Sequence, residues 1–430
     1  MNAVKNESFA EPPSGWQTRF NVIGLCFFAT LICYIDRVNI SIAVIPMAAD
    51  LGWDQTLRGL VLSAFFYGYL ATQILGGWLS DKFGGKIVLG IAVLTWSFFT
   101  VITPPAALAG VATLLLARIG MGLGEGLAFP AIYSLYARWV PPVERGRAAA
   151  LNFSGTSFGT IVALLATPLI VVKFGWQWVF YIFGALGFFW FAAWRVFVTD
   201  GPDSHPKITQ SEKSYIERDQ TIAPKQDKDV WRILLSKRPV WALILNHFCF
   251  TWGFYVILTW LPTYINEGLG VEVSAVGYYA VVPFIANVAG FTISGILADR
   301  MIRKGVSISR VRKIMQIICF GGPAAALVLI NWVTDAETAM AVMTAALFLA
   351  GFAAGGFLVN HLDIAPRHAG VLMGITNTAA TLPGIIGVTV TGMILDASGS
   401  WALVFSISAL LYLLGLILWL LFASGERIIE

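Results

Sequence analysis

The sequence predicts an all-α membrane protein of twelve transmembrane helices in two six-helix pseudo-symmetric bundles, on three observations. The 430-residue chain is 57% hydrophobic with a mean hydropathy of +0.76, and only 12% of it is charged, against about 25% in soluble domains. Its apolar residues fall in runs of about 20, each long enough to cross roughly 30 Å of hydrocarbon as a helix; a barrel would alternate over about 10 residues. A polar loop signature recurs at a constant shift of 218 residues, which divides the chain into two related halves.

In chain order the spans are expected at 20–46, 57–79, 86–108, 111–136, 146–172 and 176–197, then at 239–265, 274–298, 312–333, 338–360, 368–395 and 401–424. Residues 1–19 are a polar tail with no cleavable signal, 198–238 a linker, and 425–430 a second tail. The first half is therefore 20–197 and the second 239–424. Lys82, Lys86, Arg138, Arg145, Arg147, the basic residues of 207–238, Arg300, Arg303, Lys304, Arg310, Arg312, Lys313 and Arg367 share the side of the termini. The opposite loops hold Arg58 and Lys173 among seven acids. The positive-inside rule then places both termini in the cytoplasm, at the inner membrane if the source is bacterial. The linker reads as a solvated tether with helical spacing in its SEKSYIERD stretch.

The repeated signature is Gly77-x-x-x-Asp81-Lys82 after span 2 and Gly295-x-x-x-Asp299-Arg300 after span 8. Such a loop makes a tight turn whose carboxylate can cap a neighbouring helix and pair with a base, a contact that a rocking motion makes and breaks. Gly77, Asp81, Lys82, Asp299 and Arg300 are accordingly the expected gating residues.

Charges inside spans carry the functional reading, because each costs roughly 2.5–3.5 kcal/mol at a bilayer centre. Span 4, LLLARIGMGLGEGLAFP, holds Arg118 and Glu125. At about 100° per residue they share a face, some 10 Å apart along the axis, so each seeks its partner on another helix. Glycines between them let a neighbouring backbone come close. Span 1 holds Asp36 and Arg37. Fully ionised, the four are neutral; protonating both acids leaves two positive charges, an arrangement that binds an anion only together with protons. Glu125 is expected to be the buried proton site, with Asp36 kept easier to ionise by the adjoining Arg37. The second half has no Asp, Glu, Lys or Arg in the interior of its spans, Arg312 and Lys313 standing at the very start of one, and there Trp252, Tyr255 and Asn377 are the polar and aromatic candidates for a sugar-like body. Tyr67 on span 2 completes the expected substrate contacts. His247 reads as a hydrogen-bonded core residue, and His361 and His368 as loop residues. Cys26, Cys33, Cys249 and Cys319 lack ligand spacing and read as small buried hydrophobes.

In order along the chain, DRVNISIAVIPM from Asp36, GYLATQILGGWLSDKFGGK from Gly68, RIGMGLGEGLAFPA from Arg118, WGFYVILTWLPTY from Trp252 and HLDIAPRHAGVLMGITNTAATLPG from His361 resemble the anion:cation symporter family of the major facilitator superfamily. That family groups sialin, the plant plastid anion and phosphate transporters, the vesicular glutamate transporters and bacterial sugar-acid symporters. The resemblance implies a proton-coupled carrier of small organic anions working by alternating access. It implies Arg37 and Arg118 as anion-binding residues, Glu125 and Asp36 as proton-binding acids, and Asn377 as a polar contact. Where vesicular glutamate transporters carry an arginine on span 7 and a histidine on span 2, this chain has Phe250 and Leu62. A uronate, aldonate or sialate-like substrate is therefore expected over glutamate. Inorganic phosphate, with sodium or proton coupling, is the alternative, and a channel or membrane sensor the alternative class. No enzyme motif, cofactor, metal site or nucleic-acid partner is indicated, and the chain is expected to work as a monomer in the bilayer.

Overall fold

The computed structural model describes residues 15–73, 75–217 and 230–428. The predicted tails at 1–14 and 429–430 and the middle of the linker, 218–229, lie outside the described residues. Eighteen α-helices occur among those described: α1 Thr18–Leu51, α2 Gln55–Gln73, α3 Leu75–Phe83, α4 Gly85–Ala109, α5 Val111–Glu125, α6 Ala128–Trp139, α7 Pro142–Phe174, α8 Trp176–Phe197, α9 Gln210–Glu217, α10 Val230–Leu235, α11 Arg238–Thr263, α12 Val273–Arg303, α13 Ile308–Gln316, α14 Gly322–Leu329, α15 Ala336–Ala350, α16 Phe357–Ile364, α17 Ala369–Ser398 and α18 Trp401–Phe422.

Among the described residues, eleven continuous helical stretches are long and apolar enough to cross a membrane, and counting the pair α2 and α3, inclined by 50°, as one span gives twelve. The sequence predicts one span there, at 57–79. Spans 4 and 10 are also built from two segments: α5 runs into α6 through Gly126 and Leu127, and α15 into α16 through a tighter turn at Gly351–Ala354. Glycines, which lower helix propensity, lie at both of these junctions.

Helix ends follow local chemistry. Asp335 opens α15 by accepting the Thr338 backbone N–H at 2.8 Å, which holds its carboxyl below the usual range, and Ser400 opens α18 by accepting from Leu403 N–H at 3.2 Å. α1 stops at Gly52 (φ 69°) and α17 at Gly399 (φ 62°), left-handed positions that glycine takes without strain.

In the first half α1 packs on α7 and α8, α2 on α5, and α4 on α5 and α8; in the second, α11 packs on α17 and α18, and α12 on α15. The seam between halves is made by α2 on α17, α7 on α12 and α1 on α11. At the ends remote from the termini this seam is tied by polar groups. Asp396 of α17 accepts the backbone N–H groups of Gln55 and Thr56 at 2.9 and 2.6 Å, capping α2 across the seam. Arg58 pairs with Glu267, which also accepts from Gln55 Nε2 at 2.7 Å.

On the side of the termini, the ion pairs among the described residues lie within one half or within the linker, or join the first half to the linker. Arg138 pairs with Asp200, and Arg312 pairs with Asp363 at 2.7 Å. Arg19, almost fully buried, pairs with Glu144 of α7 at 2.9 Å and with Glu212 of α9 at 3.5 Å. Glu212 also caps α1 by accepting from the N–H groups of Thr18 and Arg19 at 3.0 and 2.9 Å. The described start of the linker is thus docked on the first half and is more than a solvated tether.

Candidate functional site

The expected charges converge midway along the seam. Arg37 is carried by α1 and Glu125 by the end of α5. Arg37 donates from Nε and Nη2 to Glu125 Oε2 at 3.0 and 2.7 Å, with both side chains buried. The rings of Tyr34, Phe65 and Tyr69 lie 4.7, 4.8 and 4.8 Å from the guanidinium carbon. Such faces attract a cation and exclude water, so the pair sits in an aromatic cage.

Helix approach makes this geometry possible. A Cβ on Gly122 would lie 2.0 Å from the Phe65 carbonyl oxygen, and one on Gly68 would lie 2.0 Å from that of Ile119. Glycine at both positions lets α2 and α5 run backbone against backbone, which brings Phe65 and Tyr69 over the arginines.

Arg118 is 1% exposed and is the buried cation without an ion pair among the described residues of this site. Its Nη1 lies 3.0 Å from Met121 Sδ, its guanidinium carbon 5.8 Å from the Phe65 ring centroid, and its Nε has no hydrogen-bond partner. Both oxygens of Asp36, both amide atoms of Asn39 and Oε1 of Glu125 are likewise buried without partners. Native interiors rarely leave such groups unsatisfied, and six of these atoms belong to four residues of α1 and α5. Arg37, Arg118, Ser41, Phe65, Phe66, Leu258 and Thr259 line a narrow cavity here of about 10 Å³, room for about one water molecule.

The pairing differs from the expectation in one respect. Arg37 turns toward Glu125, so the carboxylate that an arginine neutralises is Glu125, while Asp36, its neighbour in sequence, faces another direction and has no hydrogen bond. The reason is the helical pitch: adjacent residues point about 100° apart.

The other predicted contacts divide. Tyr255 stands against the seam, its ring 4.7 Å from that of Phe66. Trp252 lies flat against the backbone of Gly387, where a Cβ would come within 3.1 Å of its ring, and so fills the contact between α11 and α17. Asn377 is half-buried on α17. Tyr67 is corrected by the structure: it is 49% exposed on the outer face of α2. The inward stripe is Leu62, Phe65, Phe66 and Tyr69, at spacings of three and four, and Tyr67 falls off it. Tyr69 and Cys33, which donates to Glu125 Oε2 at 3.1 Å, were not anticipated. That same spacing, applied from Arg37 back to Cys33 and from Phe65 on to Tyr69, is the signal that finds them.

Among the gating candidates, Asp81, Lys82, Asp299 and Arg300 are exposed and make no salt bridge among the described residues, and nothing described lies within 4 Å of a Cβ placed on Gly77 or Gly295. The carboxylate that caps a helix and pairs with a base at the first loop is Asp200, which accepts from Lys86 N–H at 3.2 Å and pairs with Arg138.

The histidines also depart from expectation. His361 is not in a loop; it is 2% exposed on α16, with Nε2 2.8 Å from Thr376 Oγ1. His247 is buried beside it, but its Nδ1 has no partner. Asn246, Asn287 and Asn360 bind carbonyls of neighbouring segments and hold the second half together.

Comparison with known proteins agrees with this architecture. The Major Facilitator Superfamily profile matches residues 26–388. The chain is similar to the chloroplastic ascorbate transporter of Arabidopsis thaliana (44% identity, covering 96% of this chain and 77% of the relative). It is similar to the chloroplastic sodium-dependent phosphate transport protein 1 of the same plant (43%; 96% and 80%) and to sialin of Homo sapiens (36%; 95% and 90%). Among solved structures it resembles an inward-facing, occupied bacterial homologue of the lysosomal transporter Spinster, with a TM-score of 0.78 at 16% identity over 95% of this chain and 97% of that one. By fold and by sequence the chain belongs to the major facilitator superfamily, among its anion transporters.

Proposed function

We propose that the protein carries a small organic anion, of the sugar-acid kind, together with a proton, by alternating access of its two halves. One observation carries the reading: a buried Arg37–Glu125 pair stands beside Arg118, a second buried arginine with no carboxylate of its own. In this reading Arg118 takes the anionic group, in a bidentate contact. Protonation of Glu125 removes the charge that holds Arg37, which then joins Arg118 on the anion. Loss of the proton restores the pair and expels the substrate. Asp36, buried without a hydrogen bond, suits a second proton-binding group. Tyr255, Asn377 and Thr259 supply neutral groups for hydroxyls, and Trp252 forms the apolar wall behind them.

Alternating access is supported by where the contacts lie. The seam is tied at the ends remote from the termini, and the repeated loops on the terminal side stand apart. In the opposite state Asp81, Lys82, Asp299 and Arg300 would close that side. The basic loops place both termini in the cytoplasm under the positive-inside rule, and the chain works as a monomer because each copy contains the whole site.

Inorganic phosphate coupled to sodium or protons is the second reading, favoured by the 43% identity to a protein named as a sodium-dependent phosphate transporter; two arginines suit phosphate as well as carboxylate. Counterflow in proteoliposomes separates the readings. Labelled hexuronate, ascorbate, sialate and phosphate are each offered with an inward proton gradient, a sodium gradient or neither. The proposal predicts exchange of a sugar-acid anion and accumulation driven by the proton gradient alone. Exchange of phosphate only, or accumulation driven only by sodium, selects the second reading.

A further inference from the structure

Glu125 is held through a single oxygen. Arg37 donates to Oε2 from Nε and Nη2 at 3.0 and 2.7 Å, and the Cys33 thiol donates to the same Oε2 at 3.1 Å, while Oε1 is buried with no partner. Cys33 is 1% exposed, one turn before Arg37 on α1, with its sulfur 3.9 Å from Arg37 Nη2. We infer that Cys33 is a positioning residue for the proton-binding carboxyl: its S–H bond keeps Oε2 in place while Oε1 gains and loses the proton.

Resting on the reading of Glu125 given above, the chemistry runs as follows. A proton that adds to Oε1 turns Oε2 into the carbonyl oxygen of a neutral acid. The two guanidinium bonds then lose their ionic part, and Arg37 is free to turn to the substrate. The Cys33 bond survives, because a carbonyl oxygen still accepts. Without it the neutral carboxyl, having lost Arg37, would be free to rotate and could present either oxygen to the returning guanidinium. A thiol is also a weak donor, so it fixes the orientation while favouring the anion only slightly. A hydroxyl would favour the anion more.

The test is the pH profile of anion exchange in proteoliposomes for Cys33→Ala and Cys33→Ser. Activity that needs a protonated Glu125 falls as pH rises through the midpoint of its titration. Removing a donor to the anion moves that falling limb upward, and a stronger donor moves it down. Cys33→Ala is expected to shift it up by about half a pH unit, the size of one weak hydrogen bond, and Cys33→Ser to leave it at or below the wild-type position. In a Glu125→Gln background the Ala substitution should produce no shift. A packing role alone changes rate or stability without moving the midpoint. Where a variant no longer exchanges, infrared difference spectra of the purified protein serve instead. The carboxylic C=O stretch that disappears in Glu125→Gln should move to higher frequency in Cys33→Ala, having lost its thiol bond. An unshifted pH midpoint, equal shifts in Ala and Ser, or an unmoved C=O stretch overturns the assignment. If instead Glu125→Gln keeps wild-type pH dependence, it is the reading of Glu125 that fails.

Discussion

At the level of single residues, the chemistry rests on charges that cost free energy unless they are used. Breaking a buried ion pair by removing one partner costs about 3–5 kcal/mol, because the other charge is stranded. Arg37→Ala should therefore lower the melting temperature of the purified protein by several degrees, whereas Arg37→Ala combined with Glu125→Gln should recover much of the loss. Arg118 has no such partner, so its replacement is expected to act on binding and not on stability. Arg118→Lys should weaken anion binding by about tenfold or more in a thermal-shift titration, since an ammonium cannot reproduce a planar fork. Wild-type affinity in that variant would reduce Arg118 to a structural charge. The four charges of the site were legible in the sequence because an arginine or glutamate inside an apolar run is conspicuous wherever it points. Their pairing was not legible, because it depends on which helix faces Arg37, and an apolar segment leaves that unstated. Tyr67 shows the same limit. An aromatic in the right span says nothing about its face until the stripe of Leu62, Phe65, Phe66 and Tyr69 is fixed by a neighbouring helix.

At the level of elements, glycine spacing and cross-seam caps decide how the helices meet. The approach of α2 to α5 leaves no room for a Cβ at Gly122, where the Phe65 carbonyl would be 2.0 Å away. Gly122→Ala is thus expected to push the helices apart and abolish anion binding although the substitution favours helix; unchanged binding affinity would show that the close approach is dispensable. Asp396 caps α2 from the other half through two backbone N–H groups. A cap is worth about 0.5–2 kcal/mol, and in the proposed cycle this one is lost when the far side opens. Asp396→Ala should shift the population toward the state open on that side by a factor of about 2–30, read as a longer spin-label distance between residues 53 and 399. The same distance distribution in mutant and wild type would remove Asp396 from the gate. The twelve spans could be read from hydropathy, apart from the 50° bend between α2 and α3. The far-side latch could not, since Gln55, Arg58, Glu267 and Asp396 are ordinary loop and helix-end residues until the fold places them together.

At the level of the whole molecule, the account describes two bundles that share one site and close it from alternate sides. Within the membrane the first half contributes the charges of the site, so in the proposed mechanism the coupling machinery lies in a single bundle and the second bundle supplies the moving wall. The proposed orientation rests on the basic loops, and in it a cysteine at Ser211 in a cysteine-free background should react with an impermeant reagent only after the membrane is opened. Reaction in intact cells would invert the topology. The central claim is that Glu125, by taking a proton, releases Arg37 to the anion and so ties transport to the proton gradient. Its most direct test compares wild type and Glu125→Gln in the same proteoliposomes, once for exchange of labelled anion at equal pH and once for accumulation driven by an inward proton gradient. The account predicts that Glu125→Gln, with Arg37 permanently unpaired from charge, still exchanges the anion but accumulates none above its equilibrium level. Accumulation by Glu125→Gln against the anion gradient, with wild-type dependence on external pH, would contradict it and move the coupling to another group.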